Sequence, residues 1–358
     1  VNTVADTAFS GDTILTQLNT LSGDTLDEAL ESLAPVVSGG AVAGAVSAGG
    51  ASSNTVSTQL ASLRSGISAG QGLSAGDDLD RERRWWLQGF GTFADQNNRQ
   101  GIKGFNSYTG GMAMGADKRF RDSLILGLAG SYAYTSVNTR LSRDRTYVNS
   151  YQGTVYGSYE FGKNYFLDAQ IAGAFNGYTG QRFISVGSVK RTAAADYEGY
   201  QILSKFELGK DITFAEKYRF TPSLGTSYSH IEINDYTETG AGVSNLIVED
   251  QDYDILNFFA RGKIARTWQI GRVSFTPEFY GGYSYETLHN KIQTISNFSG
   301  GGSSFETVGF KPDFDSVLGG FSISLTGTKG FDLTAAYDFV SREDFRSHSG
   351  LLKGRWVF

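Results

Sequence analysis

From Trp85 to the end of the chain, apolar and polar side chains alternate with a period of two almost without a break. In the segment 331–340, Phe331 and Leu333 share one parity and Asp332 the other. Successive side chains of a β-strand point to opposite faces, so the pattern predicts strands with one apolar and one polar face. About twelve such strands are expected, near residues 85–94, 108–119, 124–138, 147–161, 165–179, 194–209, 218–234, 255–268, 273–288, 314–327, 331–341 and 347–358.

The connections between these strands alternate in length. Those that follow odd-numbered strands are mostly long, such as 235–254, and we expect another long loop over 180–193. Those that follow even-numbered strands are mostly short, such as 162–164. Short turns at one end and long loops at the other are typical of barrels in the bacterial outer membrane.

A soluble β-sandwich also alternates, but here the two faces differ in a way that favours a membrane. The polar parity carries charges of both signs, as expected around an enclosed wet space. The apolar parity carries aromatic residues at strand ends and aliphatic residues between them, as in the stretch from Tyr165 to Phe175. The sequence therefore predicts an all-β fold, a 12-stranded antiparallel transmembrane β-barrel located in the bacterial outer membrane, with its charges facing inward.

Composition excludes several other classes of protein. The 358 residues include no cysteine, which removes disulfides and thiolate metal sites, and the net charge of −6 argues against nucleic acid as a partner. No apolar run approaches the length of a transmembrane helix. Val1 opens on a polar stretch that does not resemble a signal peptide, so we expect either a cytosolic chain or a mature or trimmed part of an exported one.

The region before the barrel has a different composition, with no tyrosine or tryptophan before residue 80. We divide the chain into a helical and flexible segment 1–53, a linker 54–84 and the barrel 85–358. Thr25 and Glu28 are spaced as a capping box, and the Gly/Ala/Ser-rich stretch 38–53 is expected to be flexible.

A thin helix is predicted from Asn54 to Gly70, about 25 Å long. A 12-stranded barrel has a bore close to one helix diameter, so we expect this α-helical segment to lie inside the lumen, with Arg64 paired to Glu160, Asp168 or Glu278. In the alternative, residues 1–79 pack outside the membrane. The residues expected to line the lumen or contact the helix are Arg64, Asp117, Glu160, Asp168, Lys205, Arg219, Arg261, Lys263, Glu278, Asp332, Asp338, Lys353 and Arg355.

Four stretches carry a resemblance to a known family. They run from Trp86 to Gly91, from Tyr108 to Asp117, from Leu126 to Tyr132 and from Arg355 to Phe358. In their order and spacing they resemble the translocator β-domain of classical autotransporters (type V secretion), over residues 85–358.

The resemblance implies that the barrel is the membrane-embedded end of a longer precursor and lets an N-terminal passenger reach the cell surface. It also implies insertion by the barrel-assembly machinery and no need for a catalytic residue. We further expect contact with outer-membrane lipid and lipopolysaccharide, a monomer, and no cofactor or metal. Leu352, Trp356 and Phe358 match the family's C-terminal assembly signal. One position departs from it, because Lys353 stands where the family usually has glycine.

Two other functions remain as alternatives, a passive diffusion pore and a hydrolase at the rim of the barrel. The hydrolase would use His230, His289 or His348, but no spacing of nucleophile and acid supports it. Family members that cleave themselves use an asparagine in the lumenal helix. Asn54 is the asparagine available here, and we expect it to cap the helix instead.

Overall fold

Twelve long antiparallel strands form the body of the protein in a computed structural model that describes residues 6–36, 40–64, 83–120, 123–215, 218–289, 293–309, 311–327 and 331–357. The strands are β1 Arg83–Gln96, β2 Phe105–Phe120, β3 Leu124–Thr139, β4 Arg145–Phe161, β5 Tyr165–Val186, β6 Val189–Lys210, β7 Tyr218–Ile233, β8 Gln251–Arg266, β9 Val273–His289, β10 Asp315–Gly327, β11 Phe331–Arg342 and β12 Phe345–Val357. Each pairs with the next along the chain.

The sheet closes on itself through β1 and β12, which are paired from Arg84 opposite Val357 to Gln96 opposite Phe345. Through this closure each of the twelve strands pairs with a neighbour on both sides, as the part of a sheet that lies in hydrocarbon must. The predicted 12-stranded transmembrane β-barrel is therefore confirmed.

The outer face of the barrel is apolar and exposed. Leu128 and Leu224, in the middle of their strands, are 64% and 66% exposed. Aromatic rings gather towards the strand ends, as in the stacked row of Tyr159, Phe161 and Tyr165. This is the distribution of a lipid-facing surface with an aromatic belt at each membrane boundary.

One of the expected long loops is absent. The sequence predicts a loop over 180–193, but β5 and β6 continue to a tight turn at Gly187 and Ser188. Alternation persists in this extension, where Arg182, Ile184 and Val186 are buried and the residues between them are not. The extension is longer than a membrane requires, and it is stabilised by packing beyond the lipid.

The helices α1 Thr13–Leu18, α2 Asp24–Leu33 and α3 Gly40–Arg64 precede the barrel. Within the described residues, no helix is both long and apolar enough to cross a membrane. The predicted capping box is wrong, because α2 begins at Asp24 after Gly23 and the Thr25 hydroxyl donates to the carbonyl of Ser22.

Beyond the long-loop end of the barrel lies a compact unit that we call the cap. It consists of residues 6–36, the tip of the β5–β6 hairpin (180–195), and the segments 234–250 and 293–308. Four short strands in the last two segments form a small sheet. The cap has its own hydrophobic core, whose buried members are Ala8, Phe9, Ile14, Leu18, Ala29, Leu33, Ile184, Val186, Ala193, Ala241, Leu246, Val248 and Phe298.

We expect Leu128→Arg to destabilise the inserted barrel by roughly 2–4 kcal/mol, because it places a charge near the middle of the lipid face. Leu141→Arg is the matched control, since Leu141 lies in the β3–β4 turn and is 82% exposed. Urea titration of protein refolded into lipid vesicles measures both. Equal losses in the two variants would contradict the assignment of the outer face to lipid.

Candidate functional site

The lumen of the barrel is occupied by α3, which extends from the long-loop end to the short-turn end. Near its start, Gly44 contacts Val148. At its other end, Arg64 pairs with Asp168, close to the β4–β5 turn. The helix has 25 residues and is therefore about 37 Å long.

The helix begins fourteen residues before the predicted start, at Gly40 rather than Asn54. The prediction that 38–53 is flexible is wrong for its helical residues from Gly40 onward. Glycine costs a helix about 1 kcal/mol relative to alanine, so sequence alone argues against a helix here. Packing against the barrel wall outweighs that cost.

The wall explains why the first half of α3 is made of small residues. A Cβ atom at Gly44 would lie 2.7 Å from Val148 Cγ2, and one at Gly49 would lie 2.9 Å from Gln201 Oε1. Both distances are too short for van der Waals contact. A side chain at Gly44 would overlap Val148, whose β-branched side chain is stiff, and one at Gly49 would require the end of the flexible Gln201 side chain to shift.

In the second half of α3, serine hydroxyl groups bind polar residues of β5 and β6. Ser53 Oγ donates to Gln170 Oε1 at 3.0 Å. Ser57 Oγ accepts from Gln170 Nε2 at 3.0 Å and from Lys205 Nζ at 2.9 Å. These bonds satisfy side chains that are enclosed within the barrel, where an unpaired polar group is costly.

A second network lies one turn further along. Gln59 Nε2 donates to Asp117 Oδ2 at 2.8 Å, and the Tyr156 hydroxyl donates to the same oxygen at 3.2 Å. Trp86 Nε1 in turn donates to the Tyr156 hydroxyl at 2.8 Å. Val56 and Leu60 pack against Trp86 and Tyr156, so this network has an apolar cover.

The short-turn end of α3 is held by charge. Arg64 pairs with Asp168, and its guanidinium lies 3.7 Å from the ring centroid of Phe166. Arg119 Nη2 donates to the carbonyl of Leu63 at 3.4 Å. Positive charge is favourable at a helix C-terminus, because the last carbonyl groups have no partner within the helix.

Lys353 lies on β12, the strand that closes the barrel against β1, and its side chain contacts the helix. Its ammonium group bonds the Ser62 hydroxyl and lies 3.4 Å from Gln59 Oε1 and 3.5 Å from the Thr58 carbonyl oxygen. The lysine is 1% exposed. Lys353, which stands where the family's terminal signal usually has glycine, thus contacts the lumenal helix.

Comparison with known proteins identifies the family to which this barrel belongs. The family model "Autotransporter beta-domain" matches residues 85–338. The chain belongs to this autotransporter family. Outer membrane protein B of Rickettsia prowazekii is 25% identical over 304 residues, covering 81% of this chain and 18% of that protein. Outer membrane protein A of Rickettsia conorii is 27% identical over 232 residues, covering 62% and 11%. The chain thus spans less than a fifth of the length of these relatives.

Two solved autotransporter structures share the fold. The translocator domain of NalP from Neisseria meningitidis has a TM-score of 0.64 at 11% identity, covering 86% of this chain and 97% of that one. The β-domain of the Bordetella autotransporter BrkA has a TM-score of 0.59 at 14% identity, covering 77% and 100%.

In this autotransporter barrel, the predicted lumenal residues fall into two groups. Asp117, Asp168, Lys205 and Lys353 bind the helix directly, and Arg64 is the helix's own contribution. The others pair with the wall, in the contacts Glu160–Arg119, Glu278–Arg219, Glu278–Lys263, Arg261–Glu207, Asp332–Arg355 and Asp338–Tyr280. Alternation identified the inward parity, but it carried no signal for which charge faces the helix.

The autotransporter helix lies off the barrel axis. It packs against β1–β6 and leaves space beside β7–β12. One cavity of about 100 Å³ is lined by charged residues including Arg219 and Glu278, and another of about 290 Å³ lies nearer the long-loop end.

Asn54 lines both cavities. It lies in the middle of α3, so the predicted capping role is wrong, and its position no longer argues against self-cleavage.

His230 and His348 lie on the outer face of the barrel. His230 Nδ1 is 3.0 Å from Asp254 Oδ1, and His348 Nδ1 is 2.6 Å from the Tyr337 hydroxyl. Ligand-type atoms of His230, Glu232 and Asp252 lie within 4.8 Å of one another, a cluster that the sequence prediction of no metal site did not anticipate. Phe358 of the terminal signal lies outside the described residues, and Leu352 is 56% exposed on the lipid side.

We expect Gly44→Leu to lower the free energy of unfolding of the helix-filled barrel by about 1–3 kcal/mol, because its side chain overlaps Val148. At Gly50 a Cβ atom would meet nothing within 4 Å, so Gly50→Leu is the control and should stabilise α3 slightly. Denaturant unfolding in detergent measures both. An unchanged Gly44→Leu variant would show that the helix does not pack closely on the wall.

Proposed function

We propose that this barrel inserts in the outer membrane and exports a passenger attached to its N-terminus, which it then anchors at the cell surface. The observation that carries the proposal is the course of the chain. Arg64 and the start of β1 lie at the short-turn end, whereas residues 6–36 lie in the cap at the long-loop end. The short turns of such barrels face the periplasm, so α3 connects the periplasmic end to the outside through the lumen.

The lining of the lumen suits the passage of a polypeptide. The wall offers hydroxyl, amide and charged groups of both signs, each of which can bind a backbone or side chain in transit. The transport itself requires no catalytic residue in this scheme. Across the cavity beside β7–β11, Glu278 pairs with Arg219 and with Lys263, so the wall there is polar and carries charges of both signs.

Further partners are part of the proposal. Leu352 and Trp356 on β12, with Phe358, are proposed to be read by the barrel-assembly machinery. The rows of exposed aromatic rings, such as Tyr132 against Tyr151 at 5.2 Å, suit the headgroup level of lipopolysaccharide and phospholipid. A monomer is proposed because the barrel closes within one chain.

The two alternatives are less well supported. A passive pore would need an open bore, but α3 fills the part of the lumen beside β1–β6. A rim hydrolase would need a nucleophile next to a histidine, and the ring nitrogens described above contact a carboxylate and a tyrosine instead.

An epitope placed before Val1 should become accessible to antibody on intact Gram-negative cells, because export carries the N-terminus outward. The control is the same fusion without β12, which cannot close the barrel and should give no surface signal. Flow cytometry measures both. Surface signal that persists without β12 would show that the barrel is not the route.

Removal of residues 1–79 should raise the single-channel current in planar bilayers several-fold, because the deletion empties the lumen of α3. Deletion of residues 1–36 alone retains the helix and serves as the comparison, with a much smaller increase expected. Equal currents from the full chain and the barrel without α3 would favour the pore.

A further inference from the structure

Residues 6–36 are folded only because they are docked on the barrel's loops. α1 has six residues and α2 has ten, and isolated helices of that length are marginal in water. Phe9 and Ile14 are nevertheless 0% exposed, packed among residues of the β5–β6 hairpin and the loop segments. The segment therefore depends on a receptor surface that the barrel supplies.

The strongest tie is made by Arg182 on the inner face of the β5 extension. Its guanidinium donates to both Glu238 oxygens, at 3.0 and 2.5 Å, and to the Ser244 carbonyl at 2.8 Å. It also donates to the carbonyls of Ser32 and Leu33, at 2.9 and 3.2 Å, at the C-terminal end of α2. The side chain is 3% exposed. One buried cation thus joins α2, the hairpin and the loop after β7.

A second tie holds the other end of the segment. Arg191 donates to both oxygens of Asp12, at 2.8 and 3.0 Å, and Asp12 in turn caps α1 by accepting from the Ile14 N–H at 2.9 Å. Burial by itself would raise the pKa of Asp12, but these bonds outweigh it and keep the pKa below its ordinary value. Arg191 also donates to the Ala241 carbonyl at 3.1 Å, so this tie includes the same loop.

Two side chains of the segment bind the backbone of the hairpin itself. Gln17 Oε1 accepts from the Ser188 N–H at 3.2 Å, and Ser32 Oγ accepts from the Ser185 N–H at 3.1 Å. The hairpin tip extends beyond the barrel and presents these N–H groups to the segment. Its unusual length is thereby explained by what it binds.

We propose that the cap is a retention clamp, in which the surface loops of the barrel hold residues 6–36 and bear the load when the exported passenger is pulled. This rests on the proposed export function for the existence of a passenger. The segment stands between the passenger and α3, so tension from outside reaches the clamp first. α3 has its own ion pair and a small apolar cluster deep in the lumen, but the clamp lies nearer the passenger and joins a separate apolar core to two multidentate arginine ties.

Single-molecule pulling on the full chain in a bilayer tests the clamp. With a handle at Val1, we expect a first rupture that releases the 31 residues 6–36, up to roughly 100–110 Å of chain. A second rupture at higher extension then withdraws α3. A single rupture that releases residues 6–64 together, up to roughly 195–210 Å, would overturn the proposal.

Variants show which contacts resist each of the two ruptures. Arg182→Ala should reduce the first rupture force to about half or less and leave the second unchanged, because it removes one partner of a buried ion pair. Asp12→Ala, which alters the segment rather than the barrel, should act in the same direction. Lys190→Ala is the control on the same hairpin, with a side chain that bonds only Ser185 in its own hairpin among the contacts described. An unchanged first rupture in both Arg182→Ala and Asp12→Ala would contradict the clamp.

Hydrogen exchange checks that the variants still contain a folded barrel. In Arg182→Ala, amides of α1 and α2 should lose protection while those of β1–β12 keep it. Pulling requires no export, so a clamp that ruptures in two steps in a protein that displays no N-terminal epitope would refute the export function alone. Normal epitope display with a single rupture would refute the clamp alone.

Discussion

Backbone hydrogen bonding in a medium without water determines most of this molecule. Hydrocarbon offers no partner to an N–H or C=O group, so the sheet has to close, and it does so between β1 and β12. Closure with twelve strands sets a bore close to one helix diameter. The lumen, its polar lining and the shape of what can occupy it all follow from that single constraint.

The lumenal helix is adapted to this bore through side-chain size rather than apolar area. Gly44 and Gly49 let the backbone of α3 lie close to Val148 and Gln201, because a Cβ atom at either position would come within 3 Å of these side chains and require a shift. Further along the helix, hydrogen bonds and an ion pair join it to the wall, through Ser57, Gln59 and Arg64. A helix held in this way fills one side of the lumen and leaves two cavities on the other, one lined mainly by polar and charged residues and one mainly by apolar residues.

The cap lies outside the membrane and has a hydrophobic core of its own, in a protein whose barrel faces lipid. Its apolar residues come from the N-terminal segment and from three separate extensions of the barrel. Neither part has a sufficient core alone, and the buried Arg182 links them through four acceptor residues. The barrel's loops thus supply the surface on which residues 6–36 pack.

Period-two alternation by itself determined the strand number, the inward and outward faces, and the lipid-facing belt, because side-chain direction in a strand is a local property. It also placed Arg64 and Asp168 in the lumen, and they pair there. Only the tertiary structure decided that residues 40–53 are helical, that β5 and β6 extend into the cap, and that Lys353 binds the helix. A glycine-rich segment has no strong local preference, so its conformation depends on the wall against which it packs, and that wall is assembled from strands far away in the chain.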